Sequence, residues 1–230
     1  MSEPSSALPI ETIVFDVLGT MVDEPRGLTE ALREAAPAAD TGELLALWQR
    51  HIEREQDRIV KGDRPFATAD ALDREAAEAV AAHAGITDAA VLDRLAGAGR
   101  RHPAWDDSAA GLERLARRFP VLALSNANRA SLLHLTANAG LRWHQALSAE
   151  DAQTYKPAPE VYKLAVTAVG RPPERLLMVA AHAWDLRGAQ AIGMRTAYVH
   201  RPVGDPPKDT DTFDWHVESL GELAEALEAG

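Results

Sequence analysis

The chain has 230 residues, enough for one large domain or for a main domain with a smaller insert, and its 24 Lys and Arg against 35 Asp and Glu give a formal net charge of −11. That acidity disfavours general attraction to nucleic acid or anionic lipid, and the absence of cysteine excludes disulfides, thiolate nucleophiles and cysteine metal sites. The N-terminus has no basic segment before an apolar stretch and no apolar run is long enough to span a membrane, so the sequence predicts a cytoplasmic protein that binds neither nucleic acid nor membrane.

Taken in chain order, short apolar runs alternate with longer helical patterns, which is typical of a parallel sheet covered by helices on both faces. One helix is predicted over residues 129–139, and another begins at Pro159 and ends before Gly170. The strands are predicted at residues 12–15, 121–124, 176–179, 196–200 and, as a weaker edge strand, 213–217. We therefore expect an α/β protein with a Rossmann-like parallel sheet.

One region interrupts this alternation. From about residue 26 to residue 101 the chain is rich in Ala, Leu, Glu and Arg, has hardly any β-branched runs and repeats its apolar residues at helical spacing. We predict an all-helical cap domain at residues 23–102, inserted into a core domain formed by residues 1–22 and 103–230.

Polar side chains follow three of the predicted strands, and a lysine stands in the loop before a predicted helix. Since ligands of open α/β sheets bind outside the carboxyl ends of the strands, these residues are the candidates for the site: Asp16, Ser125, Asn126, Lys156 and Asp185. Asp16 is a candidate nucleophile, because a carboxylate can split a difficult displacement into two steps through an ester. The charge of Lys156 would keep Asp16 ionised and could hold an anionic substrate group.

Four segments resemble, in order and spacing, the four motifs of the haloacid dehalogenase superfamily. The segments are Phe-Asp-Val-Leu-Gly-Thr at 15–20, Leu-Ser-Asn at 124–126, Tyr-Lys-Pro at 155–157 and Trp-Asp-Leu-Arg-Gly-Ala at 184–189. The resemblance covers the whole predicted core, and the helical insert stands where that superfamily keeps its cap. It implies the superfamily's fold, while the activity depends on the branch.

Two positions distinguish the branches. The superfamily's phosphatases carry a second aspartate two residues after the nucleophile, where this chain has Leu18, and a metal-binding carboxylate where it has Ala181. Because Mg²⁺ prefers oxygen ligands, the loss of a carboxylate weakens such a site. Both differences point away from phosphoryl transfer, and our main interpretation includes no metal or other cofactor.

The chain is more similar to the metal-free 2-haloacid dehalogenases. That resemblance implies that the aspartate attacks the α-carbon of a small 2-haloalkanoic acid and expels halide, after which water hydrolyses the ester to a 2-hydroxy acid. It implies that Lys156 and Ser125 hold the substrate carboxylate or stabilise the nucleophile, and that Tyr162 and Asp185 orient the lysine and the water. Trp184 belongs to the same motif as Asp185 and is expected in the pocket.

Other candidates follow from hydrogen-bonding capacity or from departures from that branch. Thr20, like Ser125, can donate a hydrogen bond to an anion, and Asn126 adds a polar contact. The halide-binding cap arginine aligns with Gln49; Arg50 is adjacent, although one residue along a helix rotates a side chain by about 100°. His182 replaces an amide, and either activates the ester-cleaving water or makes the loop hydrogen bond that the amide would make.

Two other classes of function stay open. One is a Mg²⁺-dependent phosphatase or phosphonatase that acts on a small phosphorylated metabolite, with Asp16 and Asp185 as ligands. The other is a non-catalytic binding protein that kept the cleft. Dimers are frequent in the branch that the chain resembles, which makes a homodimer one expectation.

Overall fold

A computed structural model describes residues 9–229, so the first eight residues of the predicted core and Gly230 lie outside the described residues. Within that range six strands form one sheet. They are β1 (Thr12–Phe15), β2 (Val121–Ser125), β3 (Gln145–Ser148), β4 (Leu176–Ala180), β5 (Arg195–Val199) and β6 (Trp215–Val217). Their order across the sheet is β3-β2-β1-β4-β5-β6, and every neighbouring pair is parallel.

Helices connect and cover the strands. They are α1 (Glu24–Ala35), α2 (Thr41–Val60), α3 (Ala69–Ala84), α4 (Ala89–Ala96), α5 (Ser108–Ala116), α6 (Arg129–Asn138), α7 (Pro159–Val169), α8 (Ala183–Gln190) and α9 (Leu220–Glu228). Short 3₁₀ turns lie at Ala98–Arg100, Ala149–Ala152 and Pro173–Arg175. Among the described residues, no helix is both long and apolar enough to cross a membrane.

The central strand β1 fixes the position of the site. It pairs with β2 on one side and β4 on the other, so that Phe15 lies opposite Ala123 and Val179. The chain runs from β1 to β2 and β3, and then returns to the far side of β1 as β4. This reversal places a topological switch point at the carboxyl end of β1, where ligands of such sheets bind.

Both faces of the sheet are buried, as the apolar runs predict. Side chains alternate between the faces, with Ile13 and Phe15 in one hydrophobic cluster and Val14 in the other. Residues of α5 and α9 cover the first face, and residues of α7 and α8 cover the second. The α/β class with a parallel sheet is therefore confirmed.

Helices α1 to α4 form a further cluster of their own. Leu28, Leu44, Trp48, Val80 and Leu95 are among its buried residues, which all come from the predicted insert. The insert also contacts the core, because Ile59 and Leu72 pack into the cluster beneath α7 and α8. A separate apolar centre supports our division of the chain into core and cap, whose boundaries stay a prediction.

The chain leaves and re-enters the core at neighbouring points. Val22 and Ala104 form an isolated antiparallel bridge, and the backbone N–H of Asp23 donates a 2.7 Å hydrogen bond to the carbonyl of Pro103. Everything from α1 to the 3₁₀ turn at Ala98–Arg100 lies between these two crossings.

The strand predictions differ from the structure at the edges of the sheet. The run at 196–200 forms a strand one residue earlier, at Arg195–Val199, and the weak run at 213–217 pairs only over Trp215–Val217. Strand β3 was not predicted from the sequence. That strand is four residues long, and its first two residues are exposed, so it lacks a buried apolar run.

Candidate active site

Asp16 follows β1 directly, at the switch point of the sheet. Its backbone N–H donates to the carbonyl of Val179 (3.0 Å), which continues the pairing with β4. The hydroxyl of Thr20 donates to Oδ2 of Asp16 (2.7 Å) and accepts from the N–H of Ala181 (2.9 Å). Between them the chain turns at Gly19, whose φ of 76° suits glycine.

Lys156 joins two buried carboxylates. Its Nζ donates to Oδ1 of Asp16 (2.9 Å) and to Oδ2 of Asp185 (2.7 Å), and its side chain is only 1% exposed. The Tyr162 hydroxyl donates to Oδ1 of Asp185 (2.7 Å). The loop that carries Lys156 is fixed through its own N–H, which donates to the side-chain oxygen of Asn126 (2.9 Å). The three charges therefore form one hydrogen-bonded unit.

The surroundings of Asp16 keep it ionised. Burial by itself would raise the pKa of Asp16, but the Lys156 ammonium, the His182 ring and the Thr20 hydroxyl together bring this pKa well below its usual range. Burial likewise opposes the charge of Lys156, yet the two carboxylates raise its pKa. Burial raises the pKa of Asp185, which has neither the His182 ring nor the Thr20 hydroxyl beside it. Asp16 is thus the carboxylate of the pair that is poised for attack.

Asp16 opens onto a cavity of about 750 Å³ between the carboxyl ends of the strands and helices α1, α2 and α3. This volume lies in the range of roughly 300–1,000 Å³ that small-molecule sites occupy. Six of the residues predicted from the sequence line it: Asp16, Gln49, Asn126, Lys156, His182 and Trp184. The cavity therefore brings the candidate nucleophile together with groups from the core and from the insert.

Four other predicted residues lie outside the lining. Thr20, Tyr162 and Asp185 are buried beneath the cavity. Thr20 contacts Asp16, Asp185 contacts Lys156, and Tyr162 contacts Asp185. Ser125 is also fully buried, and its hydroxyl accepts a hydrogen bond from the N–H of Ala127 (3.1 Å), so it shapes the turn after β2. This geometry gives all four a supporting position.

Arg50 is not brought to the site. It is exposed and lines a separate surface depression with His51 and Arg54, whereas its neighbour Gln49 reaches the cavity. The reason is the helical rotation of about 100° between consecutive residues of α2. Our prediction that Arg50 contacts the substrate therefore finds no support in the structure, and the insert side offers the amide of Gln49 instead.

Sequence reasoning missed several titratable residues in the lining, among them Glu24, Asp73 and His102. These three come from α1, α3 and the segment after the 3₁₀ turn at Ala98–Arg100, and no motif links them. Burial raises the pKa of Glu24 to about 7 and that of Asp73 well above its usual value, and burial lowers the pKa of His102 to about 4. Near neutral pH this side of the cavity carries less charge than its residue types suggest.

The residues present do not fit a magnesium ion. The Lys156 ammonium bridges Asp16 and Asp185, where the ion would need their oxygens, and Ala181 supplies no carboxylate. In the part of the chain that the structure describes, no three His, Cys, Asp or Glu side chains are grouped so that they could hold a metal ion.

Comparisons with known proteins agree with the fold. The sequence profile of the haloacid dehalogenase-like hydrolases matches residues 10–193. The chain is 32% identical to an (S)-2-haloacid dehalogenase of Pseudomonas sp. (strain YL) over 95% of each protein. The crystal structure of the L-2-haloacid dehalogenase PA0810 superposes with a TM-score of 0.89 at 32% identity, covering 96% of this chain and 100% of that one.

A second structure shows a related enzyme with a bound group. It is the L-2-haloacid dehalogenase from Xanthobacter autotrophicus with chloropropionic acid covalently bound, which has a TM-score of 0.80 and 25% identity over 95% of this chain and 98% of that one. The fold and the site define an α/β hydrolase with an inserted helical segment. The chain belongs to the haloacid dehalogenase-like hydrolase family.

Proposed function

We propose that this protein hydrolyses the carbon–halogen bond of a small 2-haloalkanoic acid, with Asp16 as the nucleophile. One observation carries the proposal: a carboxylate held 2.9 Å from the Lys156 ammonium opens into a cavity at the carboxyl end of the central strand. The relatives named as 2-haloacid dehalogenases support the halogenated substrate, and the one with covalently bound chloropropionic acid supports a covalent intermediate.

In the first step an oxygen of Asp16 attacks C2 of the substrate. A carbon–oxygen bond forms, the carbon–halogen bond breaks, and the halide leaves with the bonding electrons. Only the ionised carboxylate is nucleophilic, so the low pKa of Asp16 serves this step. Lys156 and Thr20 fix the orientation of the carboxylate through its two oxygens.

In the second step water adds to the carboxyl carbon of the Asp16 ester. The bond between that carbon and the substrate oxygen then breaks, which releases the 2-hydroxy acid and restores the carboxylate with one oxygen from water. Lys156 and Thr20 are placed to stabilise the oxyanion that forms on the way. The whole reaction consumes one water and liberates one halide and one proton.

The remaining predicted residues divide by position. We assign substrate contacts to Gln49, Asn126 and Trp184, which line the cavity. We assign positioning roles to Tyr162 and Asp185, which hold Lys156 through the hydrogen bonds described above. Ser125, which the resemblance implies as a substrate contact, receives a positioning role because of its burial.

Residues 23–102 act in this proposal as a cap that excludes water from the reacting groups. Helix α2 supplies Trp48, Gln49 and Ile52 to the lining, opposite the nucleophile. A cytoplasmic location and a homodimer stay predictions.

The test measures halide release from both enantiomers of 2-chloropropionate, together with the mass of the peptide that contains Asp16 after turnover in ¹⁸O water. We expect halide release, incorporation of ¹⁸O into Asp16, and no effect of a chelator. Asp16→Asn should release no halide while it keeps the circular dichroism of the native protein.

Other results would overturn the proposal. Hydrolysis of a phosphate ester only when Mg²⁺ is added, with no halide from any 2-haloacid, would establish the phosphatase alternative. If neither substrate class reacts and Asp16→Asn changes no measurable property, the protein is a non-catalytic binding protein.

A further inference from the structure

We propose that His182 is a catalytic residue whose charge follows that of Asp16: an imidazolium while Asp16 is a free carboxylate, and a neutral base once Asp16 is esterified. This inference rests on the proposed function and deepens it. It supplies the proton acceptor for the water that cleaves the ester.

The position of the His182 ring carries the argument. Its Nδ1 lies 3.4 Å from Oδ2 of Asp16, whereas Lys156 contacts the other oxygen, Oδ1. The ring lies over Gly19, where a Cβ would come within 2.6 Å of the ring carbon Cε1. The absence of a side chain at Gly19 therefore makes room for an imidazole beside the nucleophile, and the ring also faces the cavity.

The backbone that follows His182 is fixed by Asp205. The N–H of Ala183 donates to the carbonyl of Asp205 (2.8 Å), and the N–H of Trp184 donates to the Asp205 carboxylate (3.0 Å). The Trp184 ring packs at 5.8 Å from the His182 ring, centre to centre. The imidazole is thus held by its neighbours and not by a hydrogen bond of its own.

The ring does not simply replace an amide that hydrogen-bonds the loop. Its Nδ1 is buried and has no hydrogen-bond partner, and 3.4 Å is longer than a well-formed hydrogen bond. A buried polar atom without a partner, at the wall of a cavity, marks a place that a water or a substrate group completes. Of the two interpretations of His182 that the sequence leaves open, this geometry favours the catalytic one.

The charges around the ring explain its state in the free enzyme. The negative charges of Asp16 and Asp185 act on the ring, Glu24 adds to them when it is ionised, and Lys156 offsets one of these charges. Burial alone would lower the pKa of His182, but these carboxylates, Asp16 above all, outweigh burial and raise it. An imidazolium here balances the excess negative charge and helps an anionic haloacid to approach Asp16.

Formation of the ester removes the main influence that raises the pKa of His182. Once an oxygen of Asp16 is bonded to C2, Asp16 carries no charge, and the pair of Lys156 and Asp185 is neutral. The negative charge that stays in the cavity is the carboxylate of the bound substrate, which we assign to the substrate contacts of Gln49 and Asn126 and not to the ring. Burial then works against the imidazolium without the main carboxylate that stabilised it. His182 releases its proton to solvent, and this is the one proton that each turnover liberates.

Hydrolysis restores the starting state. The neutral ring takes a proton from the water as the water oxygen bonds to the Asp16 carboxyl carbon. When the ester bond breaks, the departing substrate oxygen takes the remaining proton of the added hydroxyl group. Asp16 is a carboxylate again, the product is a 2-hydroxy acid, and His182 is an imidazolium.

The test separates the two chemical steps in His182→Asn and His182→Gln. We expect a burst of halide close to one equivalent of enzyme, at least ten-fold slower steady-state turnover, and accumulation of the Asp16 ester in the mass of the intact protein. His83→Asn is the matched control, because His83 is exposed on α3, far along the chain from the catalytic motifs, and pairs with Glu43. It should behave like the wild type.

The pH profiles give a second readout that a structural role would not produce. In the wild type, kcat/KM should fall at high pH, where the free enzyme loses its imidazolium, and kcat should fall at low pH, where the esterified enzyme keeps it. Both of these decreases, the high-pH limb of kcat/KM and the low-pH limb of kcat, should be absent from the His182 variants. Rapid ester hydrolysis with unchanged pH limbs in both variants would overturn this proposal alone, whereas a wild type that releases no halide would overturn the proposed function.

Discussion

The hydroxyl of Tyr162 donates a 2.7 Å hydrogen bond to Oδ1 of Asp185, a carboxylate with no exposed surface. Lys156 occupies the other oxygen of this carboxylate, so both carboxylate oxygens of Asp185 have a donor. Burial and the adjacent carboxylate raise the pKa of Tyr162, which therefore stays a neutral donor. The chain from Tyr162 through Asp185 to Lys156 extends the support of Asp16 into the core.

Removal of the Tyr162 hydroxyl should destabilise the fold. Tyr162→Phe leaves one oxygen of a buried carboxylate without a donor, so the free energy of unfolding should fall by about 1–3 kcal/mol. Urea unfolding measures the change. Tyr155→Phe is the control. The Tyr155 hydroxyl donates to the neutral carbonyl of Ala67, so this variant should lose less free energy of unfolding. Equal losses in the two variants would contradict a special role for the Tyr162 hydrogen bond.

Gly188 leaves the space that Tyr162 needs. A Cβ at Gly188 would lie 2.4 Å from the Tyr162 hydroxyl oxygen and 2.7 Å from Cζ. Gly188→Ala should therefore destabilise the fold by about 1–3 kcal/mol through overpacking. Combining it with Tyr162→Phe should cost less than the sum of the two single changes, which denaturant unfolding of all four proteins will show. Strict additivity would mean that the two sites do not touch.

Among residues 9–229, Lys156 is the one cation that pairs with both Asp16 and Asp185. Lys156→Met leaves both carboxylates buried and facing each other, so about 3–5 kcal/mol of stability should be lost at neutral pH. Halide release should fall by at least a hundred-fold. Lys163→Met, at an exposed position on α7, should change neither quantity.

The loss of stability in Lys156→Met should depend on pH. Without the ammonium, Asp16 loses the largest influence that lowers its pKa, and the pKa of Asp185, which burial already raises above its usual value, rises further. A folded-state pKa above the unfolded one removes stability as pH rises, and therefore Lys156→Met should be least stable relative to wild type at high pH. Unfolding at pH 5 and pH 8 checks this, and a deficit that grows toward low pH would contradict it.

Glu24 gives a test on the cap side of the cavity. Burial raises its folded-state pKa from 4.5 to about 7, so the stability it contributes is present at low pH and is lost as pH rises through about 7. Glu24→Gln should therefore resemble wild type at pH 5 and be more stable at pH 8, by about 1–2 kcal/mol because water reaches the cavity. Glu34→Gln, at an exposed position of the same helix, should show no such crossover.

The central part of the site was predictable because its residues follow strands. Asp16 comes directly after β1, and parallel pairing brings the loops after β2 and β4 to the same edge, which places Asn126 and Asp185 near it. Lys156 was placed there by the resemblance of the four motifs to those of the superfamily. Glu24, Asp73 and His102 lie in three separate elements of the insert. Their proximity arises from helix packing, which leaves no local pattern.

Two further features of the structure, strand β3 and the direction of the side chains at residues 49 and 50, could not be predicted from the sequence. β3 begins with two exposed residues and has no apolar run that could distinguish it from a loop. The sequence offered Gln49, which aligns with the cap arginine, and the adjacent Arg50, and the phase of α2 separates the residue that lines the cavity from the one that lines a different depression. The direction of a side chain on a surface helix depends on how that helix packs.

The hydrogen-bonded meeting of Val22, Asp23, Pro103 and Ala104 has a consequence for how such a protein can change. Because the insert departs and returns at one spot, its ends are already joined, and the register of the sheet sets no limit on its length or shape. A different lid can be grafted there while Asp16 and Lys156 keep their positions. The nucleophile with its supporting residues and the cap side of the cavity thus lie in separate stretches of the polypeptide, which are free to diverge at different rates.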